Sequence, residues 1–255
     1  MEPDEIESLN LREIESLNQR GGRTLSFVDL IEAGTVSAEL AGELAALVES
    51  GASILTAARL GGVGKSTVLA DLLACLPPGE RIRTVADRTE VASAARLEGP
   101  TCLLAHEIGA GPYYSYLWGP AAAAFLELQR PGVRIASCIH ADALEELYGI
   151  LDSQGASPRT VQSIGLVVFV RRVDGRRRVD SVYVPGPGGH RVRWLWEEET
   201  DVFAPQGPAP VDPARAAQLA DVFEELVAGG VREFASVRRA LAGRMAADGR
   251  GSRGS

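Results

Sequence analysis

The chain has 255 residues, of which 45% are hydrophobic and 24% charged, so it can bury a substantial core and is not disordered as a whole. Its formal net charge of -8 argues against direct nucleic-acid binding, because contacts to phosphates require a basic surface. No apolar run approaches the ~20 residues that span a bilayer, and the polar, acidic residues 1–18 do not resemble a secretory signal. The three cysteines are isolated and show neither a disulfide framework nor a metal-binding spacing. These features predict a protein of the reducing cytoplasm.

The first 50 residues are predicted to form a helical segment. The hexapeptide EIESLN occurs twice, at 5–10 and 13–18, and predicts an amphipathic helix that is exposed to solvent. Two further helices, each preceded by a serine that can cap it, are predicted over 26–33 and 38–50.

Strand-like and helix-like patterns alternate in the middle of the chain. Short apolar runs predict buried strands at 52–58, 81–86, 101–105 and 133–139. Helical periodicity occurs between or after these runs, at 66–76, 120–129 and 141–151. Because strands alternate with helices, we predict an α/β domain with a largely parallel sheet that helices cover on both faces.

The pattern changes after Pro158. Two strand-like runs, 166–172 and 176–184, flank an Asp-Gly pair typical of a tight hairpin turn. A third antiparallel strand is predicted at 191–196, followed by a proline-rich linker at 205–213. Two helices, 213–228 and 231–246, and a disordered tail, 248–255, complete the predictions. The predicted units are an N-terminal helical segment over 1–50, an α/β domain over 51–200 and a C-terminal helical extension over 201–255.

Lys65 is the one lysine among 26 basic residues. An ammonium group on a thin stem differs in shape from the planar arginine fork, so a position that keeps lysine indicates a need for that shape. The lysine lies in a glycine-rich turn that follows a predicted strand and precedes a predicted helix: Gly61, Gly62, Val63, Gly64, Lys65, Ser66 and Thr67. Such a turn directs backbone N–H groups and a helix N-terminus at phosphate oxygens. Lys65 would neutralise the β- and γ-phosphates, and Ser66 would bind Mg²⁺.

Other candidate site residues follow the predicted strands. Glu107 ends the third apolar run and is the candidate acid that holds Mg²⁺ and polarises water. His140 ends the fourth strand. Asp87 and Glu90 follow the second strand, at the end where α/β proteins bind ligands, although a solvated turn is the alternative interpretation.

Three further groups have a structural interpretation. The arginine run within 171–178 flanks the predicted hairpin turn, and we interpret it as a solvated hairpin tip. The aromatic cluster Tyr113, Tyr114, Tyr116 and Trp118 is interpreted as core or interface packing. His106 and His190 are interpreted as structural.

Residues 24–200 resemble the motor domain of the type II/type IV secretion and pilus-assembly ATPases, most closely the tight-adherence pilus and archaeal branch. Four motifs carry the resemblance, in the order found in that family. They are a Walker A loop, an acidic box (ERIRTVADRTE), the end of a Walker B strand (HEIG) and a histidine box (CIHAD), at 61–67, 80–90, 106–109 and 138–142.

The resemblance implies a P-loop NTPase (RecA-like) fold and an ATPase that uses ATP and Mg²⁺. The residues that it implies are Lys65, Glu107 and His140 for catalysis, Ser66 and Glu107 for Mg²⁺, and Asp87 and Glu90 beside the loop for the nucleotide. It also implies a homo-oligomer, typically a hexamer, or a mixed oligomer with a fuller ATPase. The implied partner is a membrane platform protein of a pilus or secretion apparatus, at the inner face of the cell membrane.

Several departures from the family pattern bear on turnover. Arg59 and Leu60 replace the small residues that open the loop, and Ala86 replaces the first acid of the acidic box. His106 and Gly109 replace a glycine and an arginine on either side of the Walker B glutamate. An arginine-bearing segment and an arginine-supplying N-terminal domain of the family are not recognised here, so the resemblance implies a shortened motor with weakened hydrolysis.

Two alternatives remain open at this point. The chain is a degenerate, non-hydrolysing paralogue with a regulatory or structural role, or it is an ATPase of the partitioning type with a deviant phosphate loop. The second class requires another lysine just before the glycine pair, where this chain has Leu60.

Overall fold

The computed structural model describes residues 3–18 and 21–251. The helices are α1 Pro3–Ser16, α2 Phe27–Glu32, α3 Ala38–Glu49, α4 Lys65–Ala74, α5 Arg88–Ala94, α6 Pro120–Leu126, α7 Leu144–Ser153, α8 Pro158–Gln162, α9 Pro213–Ala228 and α10 Phe234–Gly251. The strands are β1 Ile54–Ala57, β2 Arg81–Thr84, β3 Thr101–Ile108, β4 Tyr116–Leu117, β5 Val133–Ile139, β6 Leu166–Val173, β7 Arg176–Gly186, β8 Gly189–Glu197 and β9 Val202–Pro205. None of the helices in these residues combines the length and apolarity of a membrane-spanning segment.

One mixed sheet joins the strands of the described residues. Its order is β2-β3-β5-β1-β6-β7-β8-β9, with the short β4 beside β3. In sheet order, the strands β2, β3, β5, β1 and β6 are parallel to one another. From β6 through β7 and β8 to β9, each strand pairs antiparallel with the next. Every residue of β1, β3 and β5 is buried, as expected for parallel strands covered on both faces. The predicted fold class, a largely parallel α/β sheet continued by an antiparallel hairpin, is confirmed.

Helices cover both faces of the sheet. One hydrophobic cluster lies under α1–α4, α9 and α10, and the other lies under α5–α8. Gly42 lets α3 approach α9, because a Cβ there would lie 2.5 Å from the Ala216 carbonyl oxygen. The buried Arg238 of α10 donates to the Leu73 carbonyl of α4 at 2.9 Å and pairs with Glu7 of α1 at 2.6 Å. The first and last helices therefore share a core with the helix that follows the glycine-rich loop.

The prediction that the EIESLN repeat forms a solvent-exposed helix is wrong. α1 packs along β2, which is an edge strand of the sheet. The buried Asn10 amide donates to the Glu80 carbonyl and accepts from the Ile82 N–H, each at 2.8 Å. Ile14 and Leu17 are buried in the core. The helix thus covers a sheet edge whose backbone groups would otherwise lack partners.

The C-terminal region also differs from the predictions. A fourth antiparallel strand, β9, was not predicted. It pairs with β8 and ends at Pro205, where the predicted linker begins. α10 continues to Gly251, into the predicted disordered tail, and residues 252–255 lie outside the described residues. The short helices α5 and α8, of seven and five residues, were not predicted.

Candidate functional site

The glycine-rich loop connects the carboxyl end of β1 to the start of α4. Gly62 and Gly64 have φ angles of 79° and 118°, in the left-handed region that residues with a Cβ rarely adopt. Gly64 is the N-cap of α4, and Lys65 is its first residue. The N–H groups of the helix N-terminus are therefore available at the loop, an arrangement that attracts anions. The structure has the strand–loop–helix arrangement that the sequence predicts.

The three predicted catalytic side chains meet beside this loop. Lys65 Nζ lies 3.2 Å from Nδ1 of His140 and 3.9 Å from Oε2 of Glu107. His140 Nε2 lies 3.0 Å from Oε1 of Glu107. Lys65 and Glu107 are only 6% and 8% exposed, so their opposite charges compensate each other away from solvent. The cluster forms because α4 starts, β3 ends and β5 ends at the same edge of the sheet.

Neighbouring titratable groups are held neutral around this cluster. Burial raises the pKa of Tyr116 to about 12, and the nearby Glu107 carboxylate adds to the shift. Burial raises the pKa of the Cys138 thiol to about 11 and lowers the pKa of His106. At neutral pH the phenol of Tyr116 and the thiol of Cys138 therefore stay protonated and uncharged.

A cavity of about 420 Å³ adjoins the loop. Its walls include the clustered side chains, the loop residues, the segment 21–25, His106 and Arg177. A second cavity, of about 560 Å³, shares Glu107, Tyr116 and His140 with the first. Both volumes fall in the range of small-molecule sites.

Arg59 stands where the phosphate-loop pattern has a glycine, and it links the loop to the histidine box. Its N–H donates to Oδ1 of Asp142 at 2.9 Å, and its carbonyl lies 2.8 Å from Nδ1 of His140. The Arg59 carbonyl and the Glu107 carboxylate both accept hydrogen bonds, so the imidazole of His140 lies between two acceptors, one at each ring nitrogen. Gly109 also fits this site closely, since a Cβ there would lie 3.0 Å from Oε1 of Glu107.

The acidic box is arranged locally at the start of α5. Asp87 is its N-cap and accepts from the N–H groups of Thr89 and Glu90 at 2.7 and 2.9 Å. The Glu90 carboxylate accepts from the Ala86 N–H at 2.7 Å. Over the described residues, neither acid lines either cavity. The structure therefore does not bring Asp87 and Glu90 to the Lys65 cluster.

The oxygen donors that could serve Mg²⁺ are few. Ser66 and Glu107 both line the cavity at the loop, and they supply a hydroxyl and a carboxylate oxygen. No group of three or more His, Cys, Asp or Glu side chains in the described residues could hold a metal ion. This donor set fits Mg²⁺, which usually keeps several waters and binds through one or two protein oxygens and the phosphates of a substrate.

The interpretation of the arginine run as a solvated hairpin tip is wrong for Arg178, and for the exposed Arg177 it misses a contact. Arg178 is buried and pairs with Asp201 at 2.8 Å. Arg177 reaches the glycine-rich loop and lines its cavity. No local sequence pattern could have shown this, because it depends on β6 lying next to β1.

The aromatic cluster after Glu107 is not core. Tyr113, Tyr114 and Trp118 are 62%, 61% and 49% exposed, and the core interpretation is wrong for them. The alternative, interface packing, stays a prediction. His106, interpreted as structural, is buried, and its Nε2 lies 3.1 Å from the Ser16 hydroxyl. It also lines the loop cavity, which the sequence did not indicate.

Comparisons with known proteins give distant matches only. No family model matches the chain, and no curated protein matches it. The structure is similar to that of the VirB11 ATPase from the type IV secretion system of Brucella suis, with 18% identity, a TM-score of 0.40 and 68% of this chain covered. It is also similar to the Legionella pneumophila ATPase DotB, with 14% identity, a TM-score of 0.40 and 78% of this chain covered.

The chain spans about half the length of these two solved structures, since 55% of each is covered. Identities of 18% and 14% do not transfer the activity of these proteins to the chain.

Proposed function

We propose that the chain binds ATP with Mg²⁺ at the loop 61–67 and hydrolyses it. The observation that supports this most is the convergence of Lys65, Glu107 and His140 beside a loop with two left-handed glycines. A buried cation, a buried carboxylate and a helix N-terminus at one cavity are the groups that phosphoryl transfer to water requires.

Each side chain has a distinct proposed role. The Lys65 ammonium exchanges Glu107 and His140 for phosphate oxygens and neutralises their charge. Glu107 accepts a proton from the attacking water, and His140 holds that carboxylate at its 3.0 Å contact. The Ser66 hydroxyl and the Glu107 carboxylate would hold Mg²⁺, which would neutralise charge at the phosphates. Asp87 and Glu90, which the resemblance places at the nucleotide, require movement of α5 to reach it.

We further propose that the chain works as a cytoplasmic subunit of an oligomeric secretion or pilus-assembly motor, either a hexamer or a mixed ring, which docks on a membrane platform protein. Tyr113 and Trp118 are exposed and line the second cavity, and Tyr114 is exposed next to Tyr113 in the chain. These exposed aromatic side chains support the proposal that a neighbouring subunit packs at this place. Light scattering over a range of concentrations tests the assembly. A species that stays monomeric with and without nucleotide contradicts it.

Titration with a fluorescent ATP analogue and Mg²⁺ tests nucleotide binding. We expect Lys65→Ala to weaken binding by about 100-fold, because charge-assisted bonds to the phosphates are lost. Lys65→Arg is the matched control, since it keeps the charge but not the compact shape of the ammonium group. We expect it to weaken ATP binding as well. An affinity that Lys65→Ala leaves unchanged would contradict the proposal. Binding without turnover would instead favour the non-hydrolysing paralogue.

A further inference from the structure

Arg177 of β7 lies across the glycine-rich loop. Its Cδ lies 3.1 Å from the position that a Cβ on Gly64 would take, and its guanidinium donates to the Gly62 carbonyl at 3.3 Å. It also lines the 420 Å³ cavity together with Lys65. The contact follows from the topology, because the hairpin strand β6 pairs directly with β1, which leads into the loop.

No acidic side chain in residues 3–18 and 21–251 pairs with the guanidinium of Arg177. In the described part of the chain, the cavity wall contains Arg23, Lys65 and Arg177 as its arginine and lysine side chains. Arg23 makes two hydrogen bonds to Asp29, at 2.8 and 2.7 Å, and Lys65 lies near Glu107. Within the described residues, Arg177 has no ion pair, and its guanidinium has one hydrogen bond, to a neutral carbonyl. A phosphate oxygen is a stronger acceptor for a guanidinium than that carbonyl.

The position of Arg177 also indicates which phosphates it can reach. Glu107 lies near the end of β3 and His140 follows β5, and both strands lie on one side of β1. Arg177 comes from the hairpin after β6, on the other side of β1. The reacting terminal phosphate belongs beside the Glu107 carboxylate, so Arg177 faces the part of the phosphate chain that lies away from it.

We propose that Arg177 is a binding residue for the α- and β-phosphates of a nucleoside di- or triphosphate. It exchanges the Gly62 carbonyl for a phosphate oxygen when the nucleotide enters. This inference rests on the proposed function of the loop and names a further residue of the same site. Because both ADP and ATP carry these two phosphates, Arg177 contributes equally to the affinity for each.

The test compares Arg177→Ala with Arg176→Ala in the full chain. Arg176 is also exposed and precedes Arg177 on the same hairpin, so its variant is the matched control for lost charge. Fluorescent ADP and ATP analogues are titrated with Mg²⁺, and thermal unfolding is followed for each variant. We expect Arg177→Ala to weaken both nucleotides by about tenfold, at an unchanged ratio, and Arg176→Ala to leave both affinities unchanged. Both variants should unfold like the wild type, since both side chains are exposed.

The possible failures are distinguishable. A wild-type chain that binds neither nucleotide overturns the proposed function and this inference with it. If Lys65→Ala abolishes binding and Arg177→Ala leaves it intact, only the assignment of Arg177 is wrong. A loss confined to ATP would move the contact to the terminal phosphate and overturn the assignment to the α- and β-phosphates.

Discussion

The carboxyl ends of β3 and β2 differ, although the two strands are neighbours in the sheet. At the end of β3, the Glu107 carboxylate is buried and contacts side chains from two other elements, His140 at 3.0 Å and Lys65 at 3.9 Å. After β2, Asp87 and Glu90 are exposed and accept hydrogen bonds from backbone N–H groups at the start of their own helix. The Glu107 carboxylate thus has partners that are distant in sequence, whereas the Asp87 and Glu90 carboxylates bind backbone groups adjacent to them in the chain.

The carboxylates at the two strand ends therefore have different kinds of hydrogen-bond partner. Capping by backbone N–H groups is complete without a ligand, and its contribution is to the stability of α5. Glu107 is instead held against a cation and an imidazole that can both take other partners, an arrangement more typical of functional sites than of structural ones. We therefore expect substitutions of Glu107, at the end of β3, to change activity. We expect substitutions of Asp87 and Glu90, after β2, to change stability.

The largest expected effect is that of Glu107→Gln on turnover. The amide cannot accept a proton from water, so we expect steady-state ATP hydrolysis to fall by about 10²–10⁴-fold. Nucleotide binding should be retained, because the amide oxygen of glutamine can still serve as an oxygen ligand beside Mg²⁺. Hydrolysis measured with the fluorescent binding assay separates the two effects. Full turnover in this variant would show that Glu107 does not take part in the reaction. It would also contradict the functional difference proposed between the ends of β3 and β2.

Asp71 extends the comparison to a buried carboxyl group that has no ion pair among the described residues. It lies on α4, no side chain donates to its oxygens, and the Phe27 backbone N–H is the nearby donor. Burial raises its pKa well above the ordinary 3.8, and the charge of Asp29 adds to the shift. Ionisation is therefore easier in the unfolded chain, and the group makes the folded state less stable as pH rises above its ordinary pKa.

We expect Asp71→Asn to raise the free energy of unfolding at pH 7 by about 1–3 kcal/mol, because it removes the cost of a buried, unpaired acid. The gain should vanish at pH values below the ordinary pKa of 3.8, where the acid is protonated in both states. Urea unfolding at the two pH values measures it. A gain that does not depend on pH would show that the carboxyl is not ionising on unfolding.

Asp29 is the matched control, with the opposite sign. Burial opposes its ionisation, but hydrogen bonds from Arg23 and the Ser26 N–H outweigh burial and lower its pKa. Its charge therefore stabilises the fold above its ordinary pKa, and this stability is lost as pH falls through the lowered value. Asp29→Asn should destabilise the protein at neutral pH, and the loss should shrink in acid.

The sequence predicts the parts of this site that local patterns encode. Buried parallel strands are near-continuous apolar runs, so the grouping of Lys65, Glu107 and His140 at strand ends follows from the runs that precede them. The burial of α1 could not be predicted, because it depends on the pairing of Asn10 with the edge of β2. The position of Arg177 depends on β6 lying beside β1, and strand order has no local signal.

The smallest expected effect is at Asp87, where the family resemblance and the geometry make opposite predictions. The geometry predicts that Asp87→Ala costs about 1 kcal/mol of stability through the lost N-cap of α5 and leaves nucleotide affinity unchanged. Asp87→Asn should restore most of that stability, since asparagine caps nearly as well. Urea unfolding and nucleotide titration of the two variants measure both quantities. If Asp87→Ala weakens nucleotide binding and Asp87→Asn does not restore it, the carboxylate itself serves the site, and α5 must move toward the loop when nucleotide binds.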